Sequence, residues 1–340
     1  MSIETVSYPS YQEDNSHLAD ILRQLDFSPC ENVMPWPKDT LHFHWFNNND
    51  FLSFDGVEAN IYKVSKDDSP EDVKCLWVLH SRTRESASIA DRQKQNELVR
   101  TIRSKLGGYF VNDRYGKNRY NPKEVDLHGP IGRGVYLTYE LIKQDLRAII
   151  VALPEPWNKK QPENKLDEIA VLYDPMKVIY NALIPGAIAI FENFFSSVFK
   201  ILLKYDKKLK EKIEKHNIKV ELTDAFAISI SHKSIEEVIC SWYSFQNLDS
   251  LSKAFKEWHN IDFWKIVNRR KKIGEQLPQI SKMLSLLIQY RHGIIHGFQI
   301  DRSITKDKLK SFYELIDIIL EEFVKEIERI YRIQILQLCA

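Results

Sequence analysis

Cysteine is scarce in this 340-residue chain: Cys30, Cys75, Cys240 and Cys339 stand far apart, with no Cys-x-x-Cys pair. Such spacing excludes a zinc ribbon and a dense disulfide framework, and fits a reducing compartment. Glycine is sparse too, with eleven residues, and no glycine-rich loop that could cradle a phosphate follows a strand-like segment. Neither charge sign is in excess. The 48 Lys and Arg and 47 Asp and Glu leave a formal net charge of +1, so no global field draws the molecule to nucleic acid or membrane. The N-terminal stretch MSIETVSYPSYQEDNSH lacks the basic, then apolar, then small-residue order of a secretory signal. The longest apolar run, Asn181 to Leu203, is broken by Pro185, Glu192, Asn193, Ser196, Ser197 and Lys200, which predicts a buried helix rather than a membrane span. These absences together predict a cytoplasmic protein with no membrane partner.

With 44% hydrophobic and 28% charged residues, the chain has the makings of ordinary folded domains, and its length suffices for two. Residues 1–155 read as an α+β domain. Aromatic and β-branched segments (LHFHWF, FLSF, VEANIYKV, VKCLWVLH and LRAIIVAL) alternate with turns and predict strands. A helix over Ser86 to Leu106 is predicted to stop at Gly107-Gly108. Residues 156–169, rich in proline and charge, read as a linker. Residues 170–340 read as all-α. Asp174-Pro175 is an N-cap followed by proline at the first helical position, opening a helix to about Tyr205. Ser234 and Glu237 form a capping box, Asp249 and Asn260 are candidate caps, and a last helix from about Thr305 repeats apolar residues every three or four positions.

A further predicted helix, Ile280 to His296, contains QYRHGIIHGF. Ile280, Met283, Leu284, Leu287, Ile288, Ile294 and Ile295 fall on one side of it. Arg291 lies near the middle of that apolar arc, while His292 and His296 share the polar flank. A guanidinium cannot discard its charge, so in apolar surroundings it needs a carboxylate, a ligand, or water at a helix end. Glu192 is the obvious internal partner. Three readings stay open: a structural Arg291–Glu192 pair, a metal site using the i, i+4 histidines, and RNA chemistry. The metal reading lacks the Glu of an HExxH pattern and an evident third ligand.

The six residues Arg291-His292-Gly293-Ile294-Ile295-His296 resemble the Arg-polar-x-x-x-His signature of the HEPN superfamily. The apolar helix with Glu192, the stretch SFQNLDSLSKAFKEWHNIDFWKI and the long final helix are similar to that family's layout over about residues 170 to 335. The resemblance implies an all-α domain and metal-independent RNA cleavage through the 2′-hydroxyl, by a toxin or antiviral effector. It makes His296 the general base or acid, Arg291 the phosphate clamp, His292 a second proton donor or positioner, and Glu192 a supporting acid. It further implies a homodimer with a composite site, a possible antitoxin or regulatory partner, and no cofactor or metal. The alternative within the resemblance is a non-catalytic nucleotide-binding or dimerisation module held by an Arg–Glu pair. Nothing in residues 1–155 resembles a known family.

RNA-contacting residues are expected in three places. Arg269, Arg270, Lys271 and Lys272 precede the motif helix and could track a phosphate backbone. Arg114, Lys117 and Arg119 are interleaved with Tyr109, Tyr115 and Tyr120 within residues 80–133, which hold twelve Lys and Arg against six Asp and Glu. That mixture suits single-stranded RNA, although YFVNDRYGKNRY also reads as a hairpin with inward-packed aromatics. Arg82 and Arg84 follow a strand-like segment and could meet an anion, while His42 and His44 share a strand face, more often packing than metal.

Overall fold

A computed structural model describes residues 2–10, 14–31, 36–64, 76–124, 128–155, 175–215, 220–230, 232–274, 277–297 and 299–336. The chain divides into two compact units, Met1–Pro130 and Ile131–Ala340, the first built on an antiparallel sheet and the second helical.

In the first unit the strands are β1 (Ser2–Tyr8), β2 (Ser28–Pro29), β3 (Leu41–Trp45), β4 (Val57–Lys63), β5 (Trp77–Arg84), β6 (Tyr109–Asn112) and β7 (Gly116–Lys117). They form one sheet in the order β2-β3-β4-β5-β1-β6-β7, every pairing antiparallel. Two helices, α1 (Ser16–Gln24) and α2 (Ile89–Leu106), supply Leu18, Leu22, Leu98 and Ile102 to a core shared with Phe43, Ala59, Ile61 and Leu79 of the sheet. The period-2 alternation of the strands makes this layer possible, because successive side chains point to opposite faces.

Beside that core lies a buried polar layer. Gln95 donates to the carbonyls of Ile3 and Ser81 and accepts from Thr83 and Asn121, and Asn112 donates to Thr5 and Asn121. Asp91 is fully buried: one carboxylate oxygen accepts from the amides of Ser88, Phe54 and Asp55. With Ser88 it completes the capping box of α2, and it ties the turn after β3 to the same helix end. FLSF is therefore not a strand. The Phe54 amide goes to Asp91, those of Phe51, Leu52 and Ser53 go to the carbonyls of Asn48, Asn49 and Asn47, and Asn49–Phe51 forms a short 3-10 turn.

In the second unit the helices are α3 (Gly129–Ala152), α4 (Pro175–Lys204), α5 (Leu209–Lys215), α6 (Leu222–Ser229), α7 (Ile235–Ser241), α8 (Leu248–His259), α9 (Phe263–Val267), α10 (Ile280–Gly297) and α11 (Lys306–Tyr331). The segment LRAIIVAL, expected as a strand, is the end of α3. Val135, Tyr139, Ile142 and Leu146 are buried at helical spacing, whereas the β-branched Val151 is exposed. Consequently this helix groups with the second unit rather than ending the first. The expected linker, residues 156–169, and the expected cap Asp174 lie outside the described residues.

By length and composition α4 could cross a membrane, yet it forms the heart of the helical core. Phe195 packs against Phe255, Phe263 and Phe323, and Phe199 against Phe245 and Phe255. The capping expectations meet different fates. Ser234 caps α7 with Glu237, and Thr305 caps α11. Asn247 rather than Asp249 caps α8, and Asn260 closes that helix in the left-handed region at φ 55°, a conformation asparagine tolerates better than most residues.

Candidate functional site

α10 packs against α4 and α11, and its buried residues are Ile280, Leu284 and Leu287. Arg291 continues that row at i+4 from Leu287, as the helical projection requires. Beyond Leu287, however, no residue of α10 is buried. Arg291, Gly293 and Ile294 are half-buried, while His292, Ile295, His296 and Gly297 are exposed. The last two turns thus run past the core, and the arginine escapes the apolar arc because the core ends before the helix does.

Arg291 has no ion pair and no hydrogen bond among the described residues. Glu192, half-buried on α4, instead accepts a hydrogen bond from the side chain of Gln246. The structural Arg291–Glu192 pair is therefore not formed. His292 and His296 lie side by side, ring centres 4.5 Å apart and planes inclined at 49°. Neither imidazole has a hydrogen-bond partner among the described residues.

A returning segment braces this helix end. The Gln299 amide donates to the Gly293 carbonyl at 3.1 Å, and the Gln299 side chain crosses both Gly293 and Gly297, filling the space a Cβ would take on either. Glycine at these two positions is what lets the segment lie so close. Asp301 is anchored to α4 through the buried Asn181: its amide donates to Asn181 Oδ1 at 2.9 Å, and Asn181 Nδ2 donates to its carbonyl at 3.0 Å. Burial pushes the Asp301 carboxyl up, but Ser303, Tyr290 and Lys308 outweigh it and hold the group below the usual carboxylate range. Lys308 also donates to the Tyr290 hydroxyl at 2.8 Å. Sequence reasoning missed Asn181, Gln299 and Asp301. The proximity of Gly293 and Gly297 to a polar turn was the available signal, but their shared partner is visible only after the chain folds back.

The basic candidates fare unevenly. Arg269 and Lys271 both reach Glu322 of α11, at 3.2 and 3.1 Å, as does Lys325 at 3.2 Å. Glu322 is buried, and Lys271 and Lys325 overcome the burial that would raise its pKa, leaving it lowered. Two members of the basic run therefore hold the segment after α9 onto α11. Arg270 forms a backbone bridge with Gln279, and its side chain, like that of Lys272, is exposed without an ion pair among the described residues. In the sheet unit Arg82 lies 3.8 Å from Glu4 and 3.9 Å from Glu58, Arg84 lies 3.6 Å from Asp55, and Arg114 lies 2.9 Å from Glu85. Lys117 stands 4.2 Å above the Tyr109 ring, and Arg119 is exposed with no ion pair among the described residues.

The segment YFVNDRYGKNRY does form the expected hairpin, β6 to β7. Its aromatics are divided: Phe110 is buried, Tyr109 stacks on Tyr8 across strands, and Tyr115 is exposed. On the same strand face His42 bonds Asn60, and His44 approaches the Asp55 carbonyl, so both imidazoles are engaged in packing contacts. Compared with protein-family models, curated proteins and solved structures, the chain matches none.

Proposed function

We propose that the helical unit is a HEPN-like, metal-independent endoribonuclease whose working groups are Arg291, His292 and His296. The observation that carries this reading is the state of one helix end. A half-buried guanidinium stands within about one and a half turns of two adjacent, exposed imidazoles, and among the described residues none of the three has a carboxylate or hydrogen-bond partner.

These groups suit cleavage of RNA, which carries its own nucleophile in the 2′-hydroxyl. One imidazole removes the 2′-hydroxyl proton as that oxygen attacks phosphorus. The bond from phosphorus to the 5′-oxygen breaks, and the leaving oxygen takes a proton from an imidazolium. The products are a 2′,3′-cyclic phosphate and a 5′-hydroxyl. Arg291 holds the non-bridging phosphate oxygens as charge gathers on them, a role that suits a planar permanent cation. His296 is assigned the base or acid and His292 the second proton donor or positioner. Glu192 enters through Gln246 rather than through the arginine, so its part is support of the helical frame.

The exposed Ile295, on the apolar side of α10 beyond the point where the core ends, supports a second copy closing over this end to form a composite cleft. Arg270, Lys272 and, in the sheet unit, Lys117 and Arg119 remain available to RNA. Within this reading the sheet unit restrains the nuclease, senses a trigger or selects the substrate, as befits a toxin or antiviral effector with a neutralising partner.

The test is cleavage of cellular RNA by the intact chain in excess EDTA, with the new ends sequenced. Cleavage that vanishes in Arg291→Ala and His296→Ala, while both variants keep wild-type circular dichroism, is the expected result. Cleavage that persists unchanged in both rules the assignment out.

A further inference from the structure

We propose that His292 and His296 form a bidentate binding site for a divalent late transition-metal ion of the Ni2+, Cu2+ or Zn2+ class. Bound metal would silence the nuclease rather than serve it. That second clause rests on the function proposed above; the binding site itself does not.

The geometry carries the argument. Residues four apart on a helix stand one above the other, and here the rings approach to 4.5 Å between centres. With a metal–nitrogen bond of ~2.0–2.1 Å, each ring centre sits ~3.2 Å from the ion. Two such rings are ~4.5 Å apart when the nitrogen–metal–nitrogen angle is a right angle, and ~5.2 Å apart at the tetrahedral angle. The observed spacing meets the right-angled case directly, the preference of Ni2+ and Cu2+. Zn2+ needs only a small opening of the pair. Both rings are exposed, so an ion reaches them without unfolding anything, and its remaining positions stay open to water.

Other described histidines lack one or more of these properties. His42 and His44 are engaged by Asn60 and the Asp55 carbonyl. His80 meets Glu4, and His259 is buried against Tyr331. No group of three or more His, Cys, Asp or Glu side chains suited to a metal occurs among the described residues. The pair is therefore an open two-ligand site rather than a closed structural one. Arg291 sits beside it, so the ion is held by imidazole bonds and not by a negative field. Selectivity follows: oxygen-seeking Mg2+ and Ca2+ are not taken, because they prefer carboxylates and carbonyls. Coordination occupies the ring lone pairs that a general base requires, and neutral imidazole is the binding form, so affinity rises with pH.

Calorimetric titration of the intact protein with Ni2+ tests the site without reference to catalysis. Saturable Ni2+ binding that weakens at least ~10-fold in His292→Ala, and likewise in His296→Gln, is expected, since loss of even a supporting partner of a metal ligand costs ~10- to 100-fold. The double variant His42→Ala, His44→Ala should bind as wild type does, and millimolar Mg2+ should not compete. Absence of binding, or binding undiminished in both motif variants, overturns the proposal. If RNA cleavage is observed, its arrest by Ni2+ and recovery on chelation support the silencing role, and cleavage indifferent to saturating Ni2+ overturns that role alone. Should the chain prove inactive on RNA, the calorimetry still decides the site.

Discussion

Lowering the pH from 7 to 5 should cost the helical unit about 2 kcal/mol through a single side chain, His259, as the linkage between proton binding and folding requires. This imidazole ends α8 and is 4% exposed, wedged against Phe199 and Phe255. Its Nδ1 faces the Tyr331 hydroxyl at 3.0 Å, and its Nε2 is buried with no partner among the described residues. Burial first, and then the charge of Lys212, depress its pKa from 6.5 to about 3, with Asp206 pulling weakly the other way. In the unfolded chain the ring titrates near the ordinary value, so between the two the unfolded state binds a proton that the folded state refuses. Stability from this group is accordingly complete above pH 6.5 and drains away as the pH falls toward 3. At pH 5 the gap of about 1.5 units, at ~1.4 kcal/mol per unit, gives the ~2 kcal/mol stated. For a unit of this size that lowers the melting temperature by ~4–8 °C.

Thermal melts followed by circular dichroism across pH 7 to 5 measure the effect, with His259→Leu as the reference. Tyr331→Phe is placed in both backgrounds so that no hydroxyl is left orphaned. Most carboxylates titrate below this window in the unfolded chain. Asp317 acts with the opposite sign, because burial raises its pKa and its contribution fades as pH rises; it cancels between the two proteins. Equal pH slopes in wild type and variant would refute the reasoning. A buried imidazole that charges without cost cannot be as dry as the packing makes it.

Arg291→Ala and His296→Ala should each lower RNA cleavage by ~10²- to 10⁴-fold, while differential scanning calorimetry finds stability within ~1 kcal/mol of wild type, because neither side chain has a partner to orphan among the described residues. Glu322→Gln should cost about 1–2 kcal/mol in urea unfolding, a modest figure because Arg269, Lys271 and Lys325 are each well exposed. The lowered pKa of Glu322 means this contribution is present above the ordinary carboxylate value and lost as pH falls through the folded one, so wild type and variant should converge in acid. In the sheet unit Asp91→Ala removes three charge-assisted hydrogen bonds from a fully buried position. A loss of about 3 kcal/mol is expected, and hydrogen exchange at Phe54 and Asp55 should rise with it. Unchanged protection there would mean the turn is held by something else.

Local signals were legible wherever the physics is local. The Ser234–Glu237 capping box, the start of α11 at about Thr305, the end of α2 at Gly107 and the apolar row of α11 each rest on residues a few positions apart, and each appears as expected. Errors came where a distant partner outbid the local pattern. FLSF has strand composition, but Asp91, 37 positions from Phe54, takes that residue's amide, and the turn before it takes the other three on Asn47, Asn48 and Asn49. LRAIIVAL has β-branched residues, but the helix it continues buries a different row. Charge was the least legible quantity. NRRKK reads as a free basic patch, and only folding brings Glu322 within reach of two of its members.

The sequence by itself determined the order of a sheet-forming half and a helical half, the course of α10, and the side of that helix on which Arg291, His292 and His296 stand. Those features follow from periodicity, which is a property of neighbouring residues. Tertiary structure alone decided that Glu192 would turn to Gln246, that the core would stop at Leu287, and that Gln299 would fold back over two glycines. A guanidinium unpaired among the described residues, beside two exposed imidazoles, is thus a consequence of where a core ends. No linear pattern encodes that, because burial is settled by the whole set of packed helices at once.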